Sequence, residues 1–227
     1  MNKFCILFLS LLLIVANIKI LTFAGESDMP HSGYLGSDDI YDRLEKAETD
    51  NGNEVYRWIG PRLNLDNYSS ILVDDVVLYP KPVPNEQVSE DTLKRISAYT
   101  TNLLKEKIGS VAPLADAPGP EVLQIQLAIT GVQISTEGMK PYEVVPVAAV
   151  FGAAKALTGK RAQEVLVHAE VKFVDSTDGE LVGAIMRSIE GDKLKGKKDE
   201  LHVEDMHENL EQSTTEAASF MGTVFTE

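Results

Sequence analysis

His202 and His207 stand among Glu204, Asp205 and Glu208, residue types that ligate divalent cations. On a helix, five residues turn the chain through a full turn and about 140° more, so the two rings point apart. A solvated acidic helix face is therefore expected there, and no metal site. His168 and Glu170 share one face of an alternating stretch, the spacing at which a carboxylate orients a general base. Nothing nearby supplies a nucleophile, so a surface pair is expected. Asp74-Asp75 interrupts an apolar run. One of the two must face inward, as a buried hydrogen-bonded carboxylate or as part of a strand beside an open edge.

A phosphate loop needs four residues between its glycines and a Ser or Thr after the lysine, so that backbone amides surround the phosphates. Gly152 to Gly159-Lys160 has six residues between the glycines and Arg161 after the lysine, and fails on both counts. Neither a Gly-x-Ser-x-Gly elbow nor a His-Glu-x-x-His pair occurs. No catalytic residue, cofactor or metal is expected on these grounds, and the chain is read as a non-enzyme.

The N-terminus carries a different message. Lys3 precedes the 13-residue apolar run Phe4 to Ala16, and Thr22-Phe23-Ala24 offers small side chains where a signal peptidase inspects them. Residues 1–24 are read as a signal peptide cut between Ala24 and Gly25, placing the protein in the periplasm or outside the cell. The alternative is an uncleaved anchor, which Asn17 and Lys19 interrupt. The single cysteine, Cys5, leaves with that segment, which excludes thiol catalysis, disulfides and cysteine metal sites. Losing Lys3 and Lys19 takes the net charge from −14 to −16. So acidic a surface repels phosphate backbones, so nucleic acid is not an expected partner. The cluster Lys193, Lys195, Lys197, Lys198 is read as a solvated loop, with an anionic-lipid or partner contact as the alternative.

With 44% hydrophobic and 25% charged residues in 227, the chain can fill one core. Residues 25–53 read as an extended arm with a helical turn over Asp39 to Glu48, and 54–227 as one domain. Strands are expected at 55–59 and 69–79, the latter stopped by Pro80, Pro82 and Pro84. Ser89 caps a helix with the inward stripe Leu93, Ile96, Thr100, Leu103, Leu104 and Ile108, and Gly109 is placed to close it in the left-handed conformation. In 118–135 the apolar residues occupy odd positions to Ile129 and even ones from Val132. One inserted residue restores the phase, and Gly131 is assigned the bulge.

Val165, Val167, Ala169, Val171 and Phe173 form the inward face of the next strand, with His168, Glu170 and Lys172 facing out. Residues 175–180 turn the chain into a partner strand over 181–189, and Val203 to Val224 closes the fold as an amphipathic helix. Residues 144–162, rich in small side chains, read as a helix pressed onto the sheet. A peripheral membrane or partner contact, with Lys155, Lys160 and Arg161 at its polar end, is the alternative. The fold class is α+β: a curled, mainly antiparallel sheet with helices on one face.

Four segments, "SGYLG", "VYRWIG" with "LDNYSSILVDDVVLYP", "PGPEVLQIQLAITGVQIS" and "VLVHAEVKFVDSTDGELVGAI", together resemble the DUF3313 family of bacterial envelope proteins, mostly predicted lipoproteins of unknown function. The resemblance covers about residues 32 to 190. It implies an α+β domain of the envelope and no activity. Members of that family usually carry a lipobox cysteine, whereas this chain reads Leu21-Thr22-Phe23-Ala24-Gly25, so no covalent lipid anchor is expected. The leading expectation is a non-catalytic module that binds an envelope protein. The other is a periplasmic small-molecule binder, or a hydrolase, using the groove between sheet and helices, with Asp74 or Asp75 in its pocket.

Overall fold

The computed structural model describes residues 31–64, 67–136 and 162–225. The signal segment, with Ala24 and Gly25, and all of 144–162 except Ala162 lie outside the described residues. The chain enters through an arm and a short helix α1, Asp38–Tyr41, followed by strands β1, Glu45–Glu48, and β2, Glu54–Ile59. The helical turn expected over 39–48 thus ends after one turn. Pairing decides this: Glu45 lies opposite Arg57, and Lys46 forms an ion pair with Glu54 across the hairpin. Tertiary pairing of this sort overrides local helix preference.

The expected strand at 69–79 splits into β3, Ser70–Val73, and β4, Val77–Leu78, both running parallel to the long strand β5, Val122–Thr136. The break is stitched to helix α2, Glu90–Gly109: Thr101 Oγ1 accepts from Val76 N at 2.9 Å, and the Ser97 hydroxyl donates to the Val76 carbonyl. Ser89 caps α2, its Oγ accepting from Thr92 N at 3.0 Å. Gly109 does not close it in the left-handed region. It stays helical, and Ser110 continues in the right-handed region with its N–H on the Glu106 and Lys107 carbonyls.

Strand β6, Gln163–Asp175, pairs with β5 and with β7, Leu181–Leu194, which runs five residues beyond its expected end and takes in Lys193 and Leu194. The strand order is β1-β2-β7-β6-β5-β3, with β4 also on β5. Between β6 and β7 the turn needs a left-handed residue, which Gly179 supplies at φ 76°. Where the sequence changes phase, Ile129 faces Ala169 and Gly131 faces His168, so Thr130 is the extra residue and the pairing slips there. Gly131 is not among the described glycines of positive φ.

Helix α3, His207–Phe225, follows a 3-10 turn at Val203–Met206 and packs with α2 against one face of the sheet. Ile71, Ile96, Ile108, Leu123, Val165, Met206 and Leu210 are buried between them. The architecture is the expected α+β sheet with its long helices on one face.

The opposite face departs from expectation. Leu35, Tyr41 and Leu44 from the arm close over Tyr56, Ala184 and Met186 as a second apolar cluster. Glu170 anchors the arm, accepting from Ser32 N at 2.8 Å and from the Tyr41 hydroxyl at 2.6 Å, while the Lys172 ammonium sits 4.3 Å from the centre of the Tyr34 ring. His168 is 5% exposed and Glu170 1%, so the expected surface pair is buried.

Candidate functional site

Strand parity and helix faces together leave a cavity of about 240 Å³ between the sheet and the two long helices. Leu104 and Ile108 of α2, Ile125 and Leu127 of β5, Val171 and Phe173 of β6, Ile185 and Ile189 of β7, and Leu210, Ala217, Phe220 and Met221 of α3 make its apolar wall. Every strand residue in that set has the parity of the helix-facing side.

Its polar lining gathers where the β1–β2 turn meets α3. Arg187 alternates with Ile185 and Ile189 on β7 and therefore points inward, where its Nη2 donates to Glu216 Oε2 at 3.1 Å. The two side chains are only 12% and 7% exposed. Glu216 also accepts from Asn51 Nδ2 at 2.9 Å, Asn53 Nδ2 at 2.8 Å and Gln212 Nε2 at 3.3 Å. Burial pushes its carboxyl group up, but the Asn51 and Gln212 hydrogen bonds, the Arg187 charge and the Asn53 hydrogen bond outweigh burial. They hold it below the ordinary glutamate range. Arg187 is less fully used: its Nε–H is buried and has no hydrogen-bond partner among the described residues. Of the hydroxyls in the cavity's lining, Thr100 donates to the Ile96 carbonyl at 2.8 Å and Thr214 to that of Leu210 at 2.7 Å, and Thr49, Ser213 and Ser219 stand beside them.

Sequence reasoning missed this pair. The available signal was the parity of Arg187, a cation set between two inward isoleucines.

The expected site residues fall elsewhere. Asp74 accepts from Gln124 Nε2 at 2.7 Å and Gln126 Nε2 at 3.1 Å, and exposed Asp75 pairs with Lys105 at 2.7 Å. Neither lines the cavity. His202 donates its backbone N–H to Asp205 at 2.7 Å, and the His207 ring stacks on Tyr99 with centroids 4.4 Å apart. Phe173, 3% exposed, lies in the core and in the cavity wall.

His168 sits on the arm-covered face with Nδ1 2.9 Å from Ser188 Oγ, and its Nε2 is buried without a partner among the described residues. Burial pushes the imidazole from 6.5 down to about 4. The folded state therefore keeps it neutral, whereas the unfolded chain takes up a proton near pH 6.5. Stability from this residue is full above that pH and is lost on acidification, reaching about 3 kcal/mol by pH 4. Urea unfolding of wild type should weaken between pH 7 and 4 by about that much more than unfolding of His168→Gln. Equal slopes for the two proteins would contradict the burial.

Among the described residues no helix is long and apolar enough to cross a membrane. Comparison with known proteins adds kinship. The chain is 32% identical over 190 residues to the uncharacterized lipoprotein YdcL of Escherichia coli K12, covering 84% of each chain, and equally to its counterpart in strain O157:H7. Among solved structures it is similar to the PelC dodecamer from Paraburkholderia phytofirmans, with TM-score 0.36 and 9% identity, covering 71% of this chain and 96% of that one. It is also similar to a DUF4136 family protein from Bacteroides thetaiotaomicron, with TM-score 0.37 and 12% identity, covering 76% and 96%. The Escherichia coli relative is a lipoprotein, which overturns the expectation that this chain has no covalent lipid anchor. That expectation rested only on the missing cysteine beside Ala24 and Gly25. The match to the family described as proteins of unknown function, DUF3313, runs over residues 30–216, and the chain belongs to that family.

Proposed function

We propose that this is an exported domain of the bacterial envelope that holds a small apolar molecule between its sheet and helices and does no chemistry on it. The lipoprotein relative supports the compartment. The observation that carries the binding is the cavity of about 240 Å³, apolar along its length with the Arg187–Glu216 pair among its polar lining. An apolar cavity of about 150 Å³ already takes up benzene. Of the two expected roles, protein-interaction module and small-molecule binder, the cavity favours the second. Its pocket is marked by Arg187 and Glu216 in place of Asp74 or Asp75.

The test is to fill the space. Fluorine NMR of benzotrifluoride should show saturable broadening with wild-type protein. Ala217→Phe, which puts a ring into the cavity, should abolish it while keeping or raising the melting temperature, as cavity filling commonly does. Absence of saturable binding, or binding unchanged in a folded Ala217→Phe protein, would refute the reading.

A further inference from the structure

Resting on the reading of this cavity as a binding site, we infer that its ligand enters and leaves between the β1–β2 hairpin and α3, through a side that Asn51 and Asn53 latch to Glu216. Exposure locates the opening. Most of the described lining is buried or half-buried, and its exposed members are Glu48, Asp50 and Arg57 of the hairpin and Ser219 of α3. The other directions are closed. Helices α2 and α3 pack together over Leu104, Ile108 and Leu210, and the hydrogen-bonded strands β5, β6 and β7 form the floor.

Backbone pairing decides which part of that rim can move. Val55 lies opposite Arg187 and Arg57 opposite Ile185, so β7 holds the root of the hairpin. Its tip, residues 49–53, lies beyond that pairing. Thr49 N donates to the Asn53 carbonyl and Gly52 N to that of Thr49, both at 2.8 Å, so the tip swings as one piece. Thr49 and Asp50 are themselves cavity lining, and moving them outward widens the opening.

What holds the tip down is Glu216. Its Oε1 accepts from Asn51 Nδ2 at 2.9 Å and Asn53 Nδ2 at 2.8 Å, while Arg187 of β7 holds the other oxygen at 3.1 Å. The carboxylate is thus fixed from the sheet side and offered to the turn. Neither asparagine lines the cavity, so the latch acts on passage rather than on the bound molecule. The tip adds only polar side chains to the wall, so an apolar ligand binds about equally with the tip latched or free. Such a latch multiplies entry and release by the same open fraction and cancels from Kd.

Relaxation-dispersion fluorine NMR of benzotrifluoride measures both rates. In Asn51→Ala/Asn53→Ala, entry and release should each speed up by about tenfold, the factor that a hydrogen bond to a charged group commonly carries, with Kd within about twofold of wild type. Lys105→Ala on α2, which breaks the exposed ion pair with Asp75, should leave both rates unchanged. If the double variant exchanges benzotrifluoride at wild-type rates, the ligand takes another route, and the latch inference fails while the cavity reading survives. It fails equally if Lys105→Ala speeds exchange as much, since loosening anywhere would then do. A loss of affinity through faster release alone would also overturn it, because the asparagines would then hold the ligand itself. If wild type does not bind benzotrifluoride, both fall together.

Discussion

Glu216→Ala is expected to destabilise the domain by about 3–5 kcal/mol, the range for removing one partner of a buried ion pair. The cause is what remains behind. Arg187, 12% exposed, would keep its charge in an apolar setting with no carboxylate beside it. Asn51 and Asn53 would lose the oxygen that ties the β1–β2 turn to α3. Arg187→Met/Glu216→Met should recover most of the loss, because exchanging a whole buried pair for apolar side chains is often close to neutral. Urea unfolding of the three proteins checks this. A single variant as stable as wild type would mean that the pair is hydrated in solution and that the cavity's polar lining is open to bulk water.

Phe173→Asp and His168→Asp should both unfold the domain, although the residues point to opposite faces of β6. Phe173 contacts the helices, its ring centroid 6.5 Å from that of Phe220. Replacing it removes a large buried side chain, worth about 3–5 kcal/mol, and adds an unpaired charge. His168 is buried on the same face of β6 as Glu170, two residues away, so a second carboxylate there is unpaired and repelled. His168→Asn, uncharged, should be tolerated far better. Circular dichroism melts decide the matter: a folded His168→Asp protein would show that position 168 is open to water in solution.

The same two residues mark how far the sequence was legible. Alternation from Val165 to Phe173 assigns each side chain to a face, because a strand's period of two is local. It says nothing of what covers the face. The cover of Glu170 comes from Ser32 and Tyr41, more than 120 residues away in sequence, in a stretch whose apolar residues follow neither a helical nor a strand period. Ser89 and the phase change near Thr130 were legible for the same local reason. Strand β1 was not, since "EKAE" carries no strand pattern and is extended only because β2 pairs with it. Arg187 was readable as inward-facing, but its partner Glu216 lies on another element, and no local pattern joins the two.

The most direct test of the central claim is the methyl NMR spectrum of the protein with saturating benzotrifluoride. Shifts should fall on Leu104, Ile108, Ile125, Leu127, Ile185 and Leu210, which line the cavity, and spare Leu35, Leu44 and Met186 beneath the arm. Shifts confined to the arm-covered face, or none at saturation, would contradict a binding site between the sheet and its helices.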